Sequence, residues 1–403
     1  YTIMGRLQGK KVVLGVSGGI AAYKALFLVR ELRRHGAEVH VIMTEHATKL
    51  VTPLSFRELS GQPVTTTMWG EITHWNVEHI ALANLADVFV LAPATANLIG
   101  KVANGIADDM LTTTVMATPA PVVVVPAMNT RMYENPFTQS NLQKLDSAGY
   151  TVIEPESGDM ACGTNGKGRF PAVETIVATI ERVASQGLLR GKKVVVSAGG
   201  TREAIDPVRY LSNRSSGKMG YAVAAAAAWQ GADVVLVSAT TSLPEVPGVR
   251  TVHVNSAREM KDAINAEFDT ADIVVKAAAV ADYRPAKTAS QKIKKQDDDM
   301  QIKLVRNPDI LYELGQRKKQ QILIGFAAET QNVLEYAKGK LVKKNLDMLV
   351  ANNVASPGAG FQTETNIVTF VYRDGSHESL DIMTKDRVAE EIIKRAAELT
   401  NAC

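Results

Sequence analysis

The chain of 403 residues has only two cysteines, Cys162 and Cys403. They are too few and too far apart for a disulfide framework or a zinc cage, and they fit a reducing compartment. Aromatic residues are scarce at 5%. Ala, Val and Gly fill their place, and small side chains over Val-rich strands suit helices packed closely on both faces of a parallel sheet. Long apolar runs are missing. The candidates, PVVVVPAM at 121–128 and AVAAAAAW at 222–229, fall far short of the roughly 20 residues that span a bilayer. No secretory apolar region precedes the strand-like sequence that starts at Lys11, so a cytoplasmic location is expected. An excess of either charge is also absent: 45 Lys+Arg against 42 Asp+Glu leave +3 and a pI of about 8.6. That balance makes no case for a nucleic-acid or membrane partner and confines any anion site to a few local groups.

What is present is ordinary for a globular chain, with 46% hydrophobic residues, 22% charged residues and a mean hydropathy of −0.03. At roughly 100 to 200 residues per domain, the length predicts two to four domains. A restart in the sequence fixes the number at two. Residues 9–20 read GKKVVLGVSGGI and residues 191–201 read GKKVVVSAGGT, each a basic step, an apolar strand and a Gly-rich turn. In the first half the pattern continues with an amphipathic helix over Ala21 to Arg34, a break at Gly36 and a strand over Glu38 to Met43. The second half repeats it with a helix over Lys218 to Trp229, a break at Gly231 and a strand over Asp233 to Ser238. Each half then carries a strand introduced by Ala-Asp, ADVFVLAPAT at 86–95 and ADIVVKAAAV at 271–280, and a further buried strand at 122–126 or 322–327. The expected fold class is α/β, with two doubly wound Rossmann-like domains in tandem, residues 1–188 and 189–403, joined within SQGLLRG at 185–191. Asn366 to Tyr372, a turn at Asp374-Gly375 and a strand resuming at Ser379 predict a C-terminal hairpin before a last helix, Lys385 to Leu399.

Ligands of such sheets bind beyond the carboxyl ends of the strands, so two sheets imply two sites. In the first half, Ser17, Gly18 and Gly19 allow backbone amides to approach a phosphate, although the same glycines equally serve to turn strand into helix. Thr44 and the APATAN loop at 92–97, with Ala94 and Thr95, add contacts at neighbouring strand ends. His79, placed just before the helix that leads into Ala86-Asp87, reads on its own as a satisfied structural group. Cys162 lies in SGDMACGTNGKGRF at 157–170, a stretch expected to form no continuous helix or strand and to act as a mobile loop. In the second half, TREAIDPVRYLSNRSSGKMG at 201–220 contains a Gly-Lys pair but is no P-loop, because Ser212 and Met219 stand where a glycine and a magnesium-binding hydroxyl are required. Arg209, Asn213, Ser215, Ser216 and Gly217 at a helix start still form an anion cradle. The run Lys292-Ile293-Lys294-Lys295 before Asp297-Asp298-Asp299 reads by composition as a solvated loop.

Taken together and in order, GVSGGIAAYK, EHIALANLAD, LAPATANLIGKVANGIADDMLTTT, PAMNTRMYENP and the ACG segment resemble the homo-oligomeric flavin-containing cysteine decarboxylases. With the second half, residues 8 to 400 resemble the bifunctional phosphopantothenoylcysteine decarboxylase and phosphopantothenate–cysteine ligase family. The resemblance implies a flavodoxin-like FMN domain followed by a CTP-binding ligase domain. FMN contacts are then Ser17, Gly18, Gly19, Thr44, Ala94 and Thr95. It implies that His79 is base-like beside the substrate, that Asn129 holds its carboxylate and that Cys162 donates a proton. In the ligase half it makes Arg209, Asn213 and Lys292 catalytic and puts CTP against Asp282, Lys292, Asn307, Pro308, Asp309, Ile310, Phe326, Lys340 and Lys344, with magnesium alongside. Lys338 and Lys343 stay solubilising, and no metal ligands are identified. The partners implied are 4′-phosphopantothenate, L-cysteine, CTP and 4′-phosphopantothenoylcysteine, within a homo-dodecamer of trimeric flavin domains and paired ligase domains. Two positions depart from relatives: Tyr133 stands where Trp is frequent, and Asn84 where some carry a basic residue. A flavin-binding regulatory subunit that inhibits phosphatases is one alternative, opposed by the joint presence of His79, Asn129 and Cys162. An NAD-dependent tandem oxidoreductase is the other, opposed by the missing G-x-G-x-x-G.

Overall fold

A computed structural model describes residues 5–69, 78–159, 165–239, 241–294, 300–329, 333–353 and 365–401. The chain divides into two compact units, Tyr1–Ser185 and Gln186–Cys403.

The first unit carries a six-stranded parallel sheet made of β1 (Lys11–Val16), β2 (Glu38–Met43), β3 (Val64–Thr65), β4 (Val88–Ala94), β5 (Val122–Pro126) and β6 (Thr151–Val152). Its order is β3-β2-β1-β4-β5-β6; with the two-residue β3 set aside, the other five run in flavodoxin order. Strand side chains alternate between two cores, as a sheet covered on both faces requires. Val12, Leu14 and Val16 pack with helices Lys24–Arg34 and Val173–Ala184, whereas Val13 packs with helices Ala96–Ala103, Met110–Ala117 and Pro136–Ser147. The helix expected from Ala21 begins as a 3-10 turn at Ile20–Tyr23 and becomes α-helical at Lys24.

One expectation fails here. The Gly-rich stretch around Cys162 does form strands: β7 (Glu156–Asp159) pairs antiparallel with β8 (Asn165–Arg169). The glycines permit the pairing rather than prevent it. Gly166 leaves room for Thr130, whose Oγ1 would lie 2.6 Å from an added Cβ, and the Gly168 carbonyl accepts the Met128 amide at 3.0 Å. Cys162 and Cys403 themselves lie outside the described residues.

The second unit repeats the plan and extends it. Its strands are β9 (Lys193–Ala198), β10 (Arg202–Ala204), β11 (Tyr210–Ser212), β12 (Asp233–Ser238), β13 (Arg250–His253), β14 (Ile273–Lys276), β15 (Tyr283–Pro285), β16 (Leu304–Arg306), β17 (Ile322–Glu329), β18 (Met348–Asn353), β19 (Thr365–Asn366), β20 (Val368–Tyr372), β21 (His377–Ser379) and β22 (Met383–Thr384). Eight form the main sheet, β13-β12-β9-β14-β17-β18-β20-β21, parallel through β18 and antiparallel beyond it. The C-terminal hairpin is thus β20–β21, with its second strand resuming at His377 rather than Ser379. Three small ribbons, β10–β11, β15–β16 and β19–β22, accompany the sheet.

The Ala-Asp pairs that introduce β4 and β14 have a common structural purpose. Asp87 accepts the Lys11 amide at 2.7 Å on its carboxylate and donates its own amide to the Lys11 carbonyl at 2.8 Å. Asp272 does the same with Lys193, at 2.8 and 2.9 Å. A carboxylate is used because the amides that open a parallel strand have no other ladder partner. The alanine run of helix Lys218–Trp229 is equally purposeful: this helix is sandwiched between the sheet and helix Lys385–Asn401, and a Cβ on Gly220 would lie 2.5 Å from the Ala198 Cβ.

Candidate active sites at the strand ends

In the first unit the switch point lies between β1 and β4, where consecutive connections leave on opposite faces. Ser17 joins the two strand ends. Its buried hydroxyl donates to the Pro93 carbonyl at 2.6 Å and accepts the Thr95 amide at 3.0 Å. Thr95 then caps helix Ala96–Ala103 by accepting the Leu98 amide, and Thr44 caps helix Glu45–Thr48 by accepting the Ala47 amide. A Cβ on Gly18 would lie 2.3 Å from the His46 Cβ, so only glycine fits there.

Two clefts meet over this loop. One, of about 630 Å³, contains Ser17, Gly18, Thr44 and Thr95 in its wall; the other, of about 740 Å³, contains Gly18, Gly19, Thr95 and Asn129. Sharing Gly18, Thr95, Ala96 and Met132, they have the size and the mixed lining of a cofactor trough. Asn129 opens helix Thr130–Tyr133 and accepts the Arg131 amide at 2.9 Å. Ala94 lines neither cleft. Its methyl is fully buried in the core and its carbonyl accepts the Ala127 amide at 3.1 Å, so its side chain does not face the clefts. His79 lies inside helix Glu78–Leu85, in its first turn rather than before it, and also lines neither cleft. Tyr133 is buried in the core, and Asn84 is exposed on the His79 helix.

Two cations in the larger cleft escape a sequence reading. Lys24 begins the first long helix with its ammonium 5.9 Å from the Phe170 ring centre, and Arg169 ends β8 beside it. Burial, reinforced by Arg169, lowers the Lys24 pKa. A negative group at this place would relieve both effects.

In the second unit the switch point lies between β9 and β14. A cleft of about 180 Å³ there gathers Ser215, Ser216, Gly217, Ala279 and Phe326. Gly217, at φ +80°, is the left-handed residue that opens helix Lys218–Trp229. The exposed Asn213 donates to the Ala279 carbonyl at 3.1 Å, which fixes its amide beside this cleft. Asn352, Asn366 and Lys385 form the far wall; the buried Oδ1 atoms of both asparagines have no partner among the described residues. Such acceptors suit a ligand hydroxyl or amine.

The other residues expected around a nucleotide form a hydrogen-bonded group. The Asp282 carbonyl accepts the Asn307 amide at 2.8 Å, and Asn307 Nδ2 donates to Ala281 at 2.8 Å. Pro308 leads to Asp309, which caps helix Ile310–Arg317 and is paired with Lys344 at 2.8 Å. Burial pushes the Asp309 carboxyl up, but the bonds from Lys344 and the Tyr312 amide outweigh it and leave the pKa below its ordinary value. Lys340 donates to the Phe326 carbonyl at 3.4 Å. Ile310 is 2% exposed and its side chain packs in the core, so only its backbone is available to a ligand. Lys338 and Lys343 are exposed.

Lys276, at the end of β14, is the member of this group that sequence reading missed. Burial and the neighbouring Lys344 and Lys340 push its pKa down to about 8, against the opposing pull of Asp309 and Asp282. Its signal was a lone lysine closing an apolar strand, IVVK. Lys292 is exposed in an irregular segment, and Arg209 is paired with Asp206. Among the described residues no group of three or more His, Cys, Asp or Glu could hold a metal ion, and no helix is long and apolar enough to cross a membrane.

Two families divide the chain between them. The family described as Flavoprotein matches residues 3–185, and the DNA/pantothenate metabolism flavoprotein C-terminal domain matches residues 189–399. Coenzyme A biosynthesis bifunctional protein CoaBC of Bacillus subtilis (strain 168) is 50% identical over 398 residues, covering 98% of either chain. Its namesake in Escherichia coli (strain K12) is 48% identical over 374 residues, covering 92% of either chain. Among solved structures, the C-terminal domain of a protein with the same name is 44% identical, with a TM-score of 0.47, and covers 54% of this chain and 100% of its own.

Proposed function

Because the chain belongs to the bifunctional coenzyme A biosynthesis proteins, we propose that its two switch points are the two active sites of that family, working in series. The chain is a coenzyme A biosynthesis enzyme that joins 4′-phosphopantothenate to cysteine and decarboxylates the 4′-phosphopantothenoylcysteine formed. It is also a flavoprotein that uses FMN. The observation that carries the two-site reading is one cofactor-sized trough and one lysine-rich group, each at the strand ends of its own unit.

The ligase unit faces an unreactive carboxylate. Transfer of a cytidylyl group from CTP gives the carboxylate a leaving group: its oxygen bonds to the α-phosphorus and pyrophosphate departs. The amine of cysteine then bonds to the acyl carbon, loses a proton and displaces CMP. In this reading Lys292 stabilises charge developing on the transferred phosphoryl group, and Arg209 and Asn213 hold the acyl-cytidylate. Asp282 accepts a hydrogen bond from the cytosine amino group, which favours CTP over UTP. Lys276, Lys340 and Lys344 neutralise the triphosphate, and magnesium enters with it.

The trough of the first unit fits FMN, since Gly18 has no room for a side chain and the loop leaves backbone amides at the foot of two capped helices. Ser17, Gly18, Gly19, Thr44 and Thr95 would hold FMN there, and the flavin would supply reversible hydride storage, which eases decarboxylation without net oxidation. Asn129 holds the substrate carboxylate, and Cys162 gives a proton to the carbon left by carbon dioxide. His79 lines neither of these two clefts, and in the proposed assembly it completes the flavin site of a neighbouring protomer. Trimers of flavin units and pairs of ligase units, combined into a cytoplasmic dodecamer, satisfy that requirement.

The test supplies purified protein with 4′-phosphopantothenate, CTP, magnesium and cysteine. CMP and carbon dioxide should appear in equal amounts with 4′-phosphopantetheine, and the protein should absorb near 450 nm (approximate, a property of the flavin). CMP without carbon dioxide, or a colourless protein that FMN cannot reconstitute, would sink the reading.

A further inference from the structure

Lys292 lies in an exposed segment that has neither helix nor strand around it, although a catalytic ammonium must be held to be useful. A free lysine side chain costs up to about 2 kcal/mol of rotamer entropy to order. The neighbouring residue supplies the constraint. The Ile293 amide donates to Asp206 Oδ2 at 3.2 Å, and the Ile293 carbonyl accepts Arg209 Nη2 at 2.9 Å. Asp206 Oδ2 in turn receives the Arg209 guanidinium, from Nε at 3.0 Å and Nη2 at 2.6 Å. The other carboxylate oxygen accepts the amides of Val208 and Arg209, both at 2.8 Å.

Asp206 is 2% exposed, so this carboxylate has left water and is fully repaid by protein donors. The Arg209 guanidinium, first among those donors, holds its carboxyl well below the usual carboxylate range. Two further bonds bring the same segments together, from the Ala289 amide to Ile205 at 2.9 Å and from Thr288 Oγ1 to Ala204 at 3.1 Å. A carboxylate needed only to shape its own turn would require just the Val208 and Arg209 amides. Asp206 instead extends its charge to a segment 87 residues away.

We propose that Asp206 is a positioning residue for the ligase reaction: with the guanidinium it orients, it grips the Ile293 peptide from both sides and so fixes where Lys292 points. Nothing in the sequence around IDPVR points to this partner. This inference rests on the role proposed for Lys292 and gives Arg209 a second task besides holding the acyl-cytidylate.

The experiment uses the full-length chain carrying Asp206→Asn, which keeps an oxygen to accept amides and loses the charge that orients Arg209. Pyrophosphate release from CTP and 4′-phosphopantothenate should fall about 100-fold in kcat, with the KM for CTP unchanged. Hydrogen exchange at the Ile293 amide and tryptic cleavage after Lys292 should both accelerate, while decarboxylation stays normal. An undiminished kcat overturns the proposal. So does loss of CTP binding in step with melting of the ligase unit, because that marks a merely structural carboxylate. Lys292→Gln separates the two layers: if it releases pyrophosphate normally the reading of Lys292 fails, whereas an inactive Lys292→Gln beside a fully active Asp206→Asn removes the clamp alone.

Discussion

Both units start with a Lys-Lys pair, a Val-rich strand and a glycine-rich turn, and both tie that turn to the neighbouring strand end through a hydroxyl. In the first, Ser17 accepts the Thr95 amide at 3.0 Å; in the second, Thr201 accepts the Ala281 amide at 3.0 Å. Beyond this point they diverge. The flavin unit holds its strand-end loop with caps and neutral bonds and has one ion pair, Lys101 with Asp108, in its cleft wall, whereas the ligase unit builds ion pairs into the residues proposed to act, Asp206 with Arg209 and Asp309 with Lys344. The difference follows the ligands. A flavin is mostly a planar surface with one phosphate, and shape plus backbone amides can hold it. A triphosphate transfers charge as it reacts, and it requires fixed cations whose own counter-ions keep them in place.

The comparison can be broken most severely at the packing of the second unit. A valine at Gly220 would put Cβ 2.5 Å from the Ala198 Cβ and 2.9 Å from the Ser197 carbonyl, both parts of a strand that cannot yield. Relief from a helical glycine is worth about 1 kcal/mol, but overpacking against backbone costs about 3 kcal/mol or more, and it wins. Gly220→Val should therefore remove the ligase transition in calorimetry while the first unit keeps its flavin spectrum. Simultaneous loss of both transitions would show that the units do not stand separately.

A smaller effect sharpens the electrostatic contrast. Lys276 has its pKa pushed down to about 8 from an ordinary 10.5, so the empty site sheds this charge in mildly alkaline solution. A triphosphate stabilises the ammonium and raises its pKa again, so binding takes up a proton above that point. The sign is then fixed: CTP affinity is highest below pH 8 and falls as pH rises through it, by at most about tenfold per pH unit. In Lys276→Met, titration calorimetry should find weaker CTP binding with this pH dependence removed. An unchanged dependence would place the titrating group elsewhere.

How much of this was legible depends on what kind of interaction carried it. The strands Glu38–Met43, Val122–Pro126 and Asp233–Ser238 and the helix Lys218–Trp229 were readable to the residue, because apolar runs bounded by glycine or proline leave little choice. The Asp309, Asn307, Lys340 and Lys344 group was readable only through family resemblance, since no spacing within the chain links positions 35 residues apart such as Asp309 and Lys344. The inward orientation of Ala94 was not legible, because a strand-end residue can face the core as readily as a ligand, and the choice depends on strand phase. The β7–β8 ribbon was misread because glycine opposes strand formation intrinsically yet is required where another chain segment approaches. Asp206 and Lys276 were missed for a common reason: a single charged residue acquires its meaning from neighbours that only folding supplies.

The central claim is that one chain holds two chemistries with separable machinery, and Lys292→Gln tests it most directly. The measurement is pyrophosphate release from CTP and 4′-phosphopantothenate, with decarboxylation of supplied 4′-phosphopantothenoylcysteine followed on the same preparation. The account predicts that pyrophosphate release is abolished while carbon dioxide is produced at the wild-type rate. Normal pyrophosphate release, or loss of both activities in a folded protein, would contradict it.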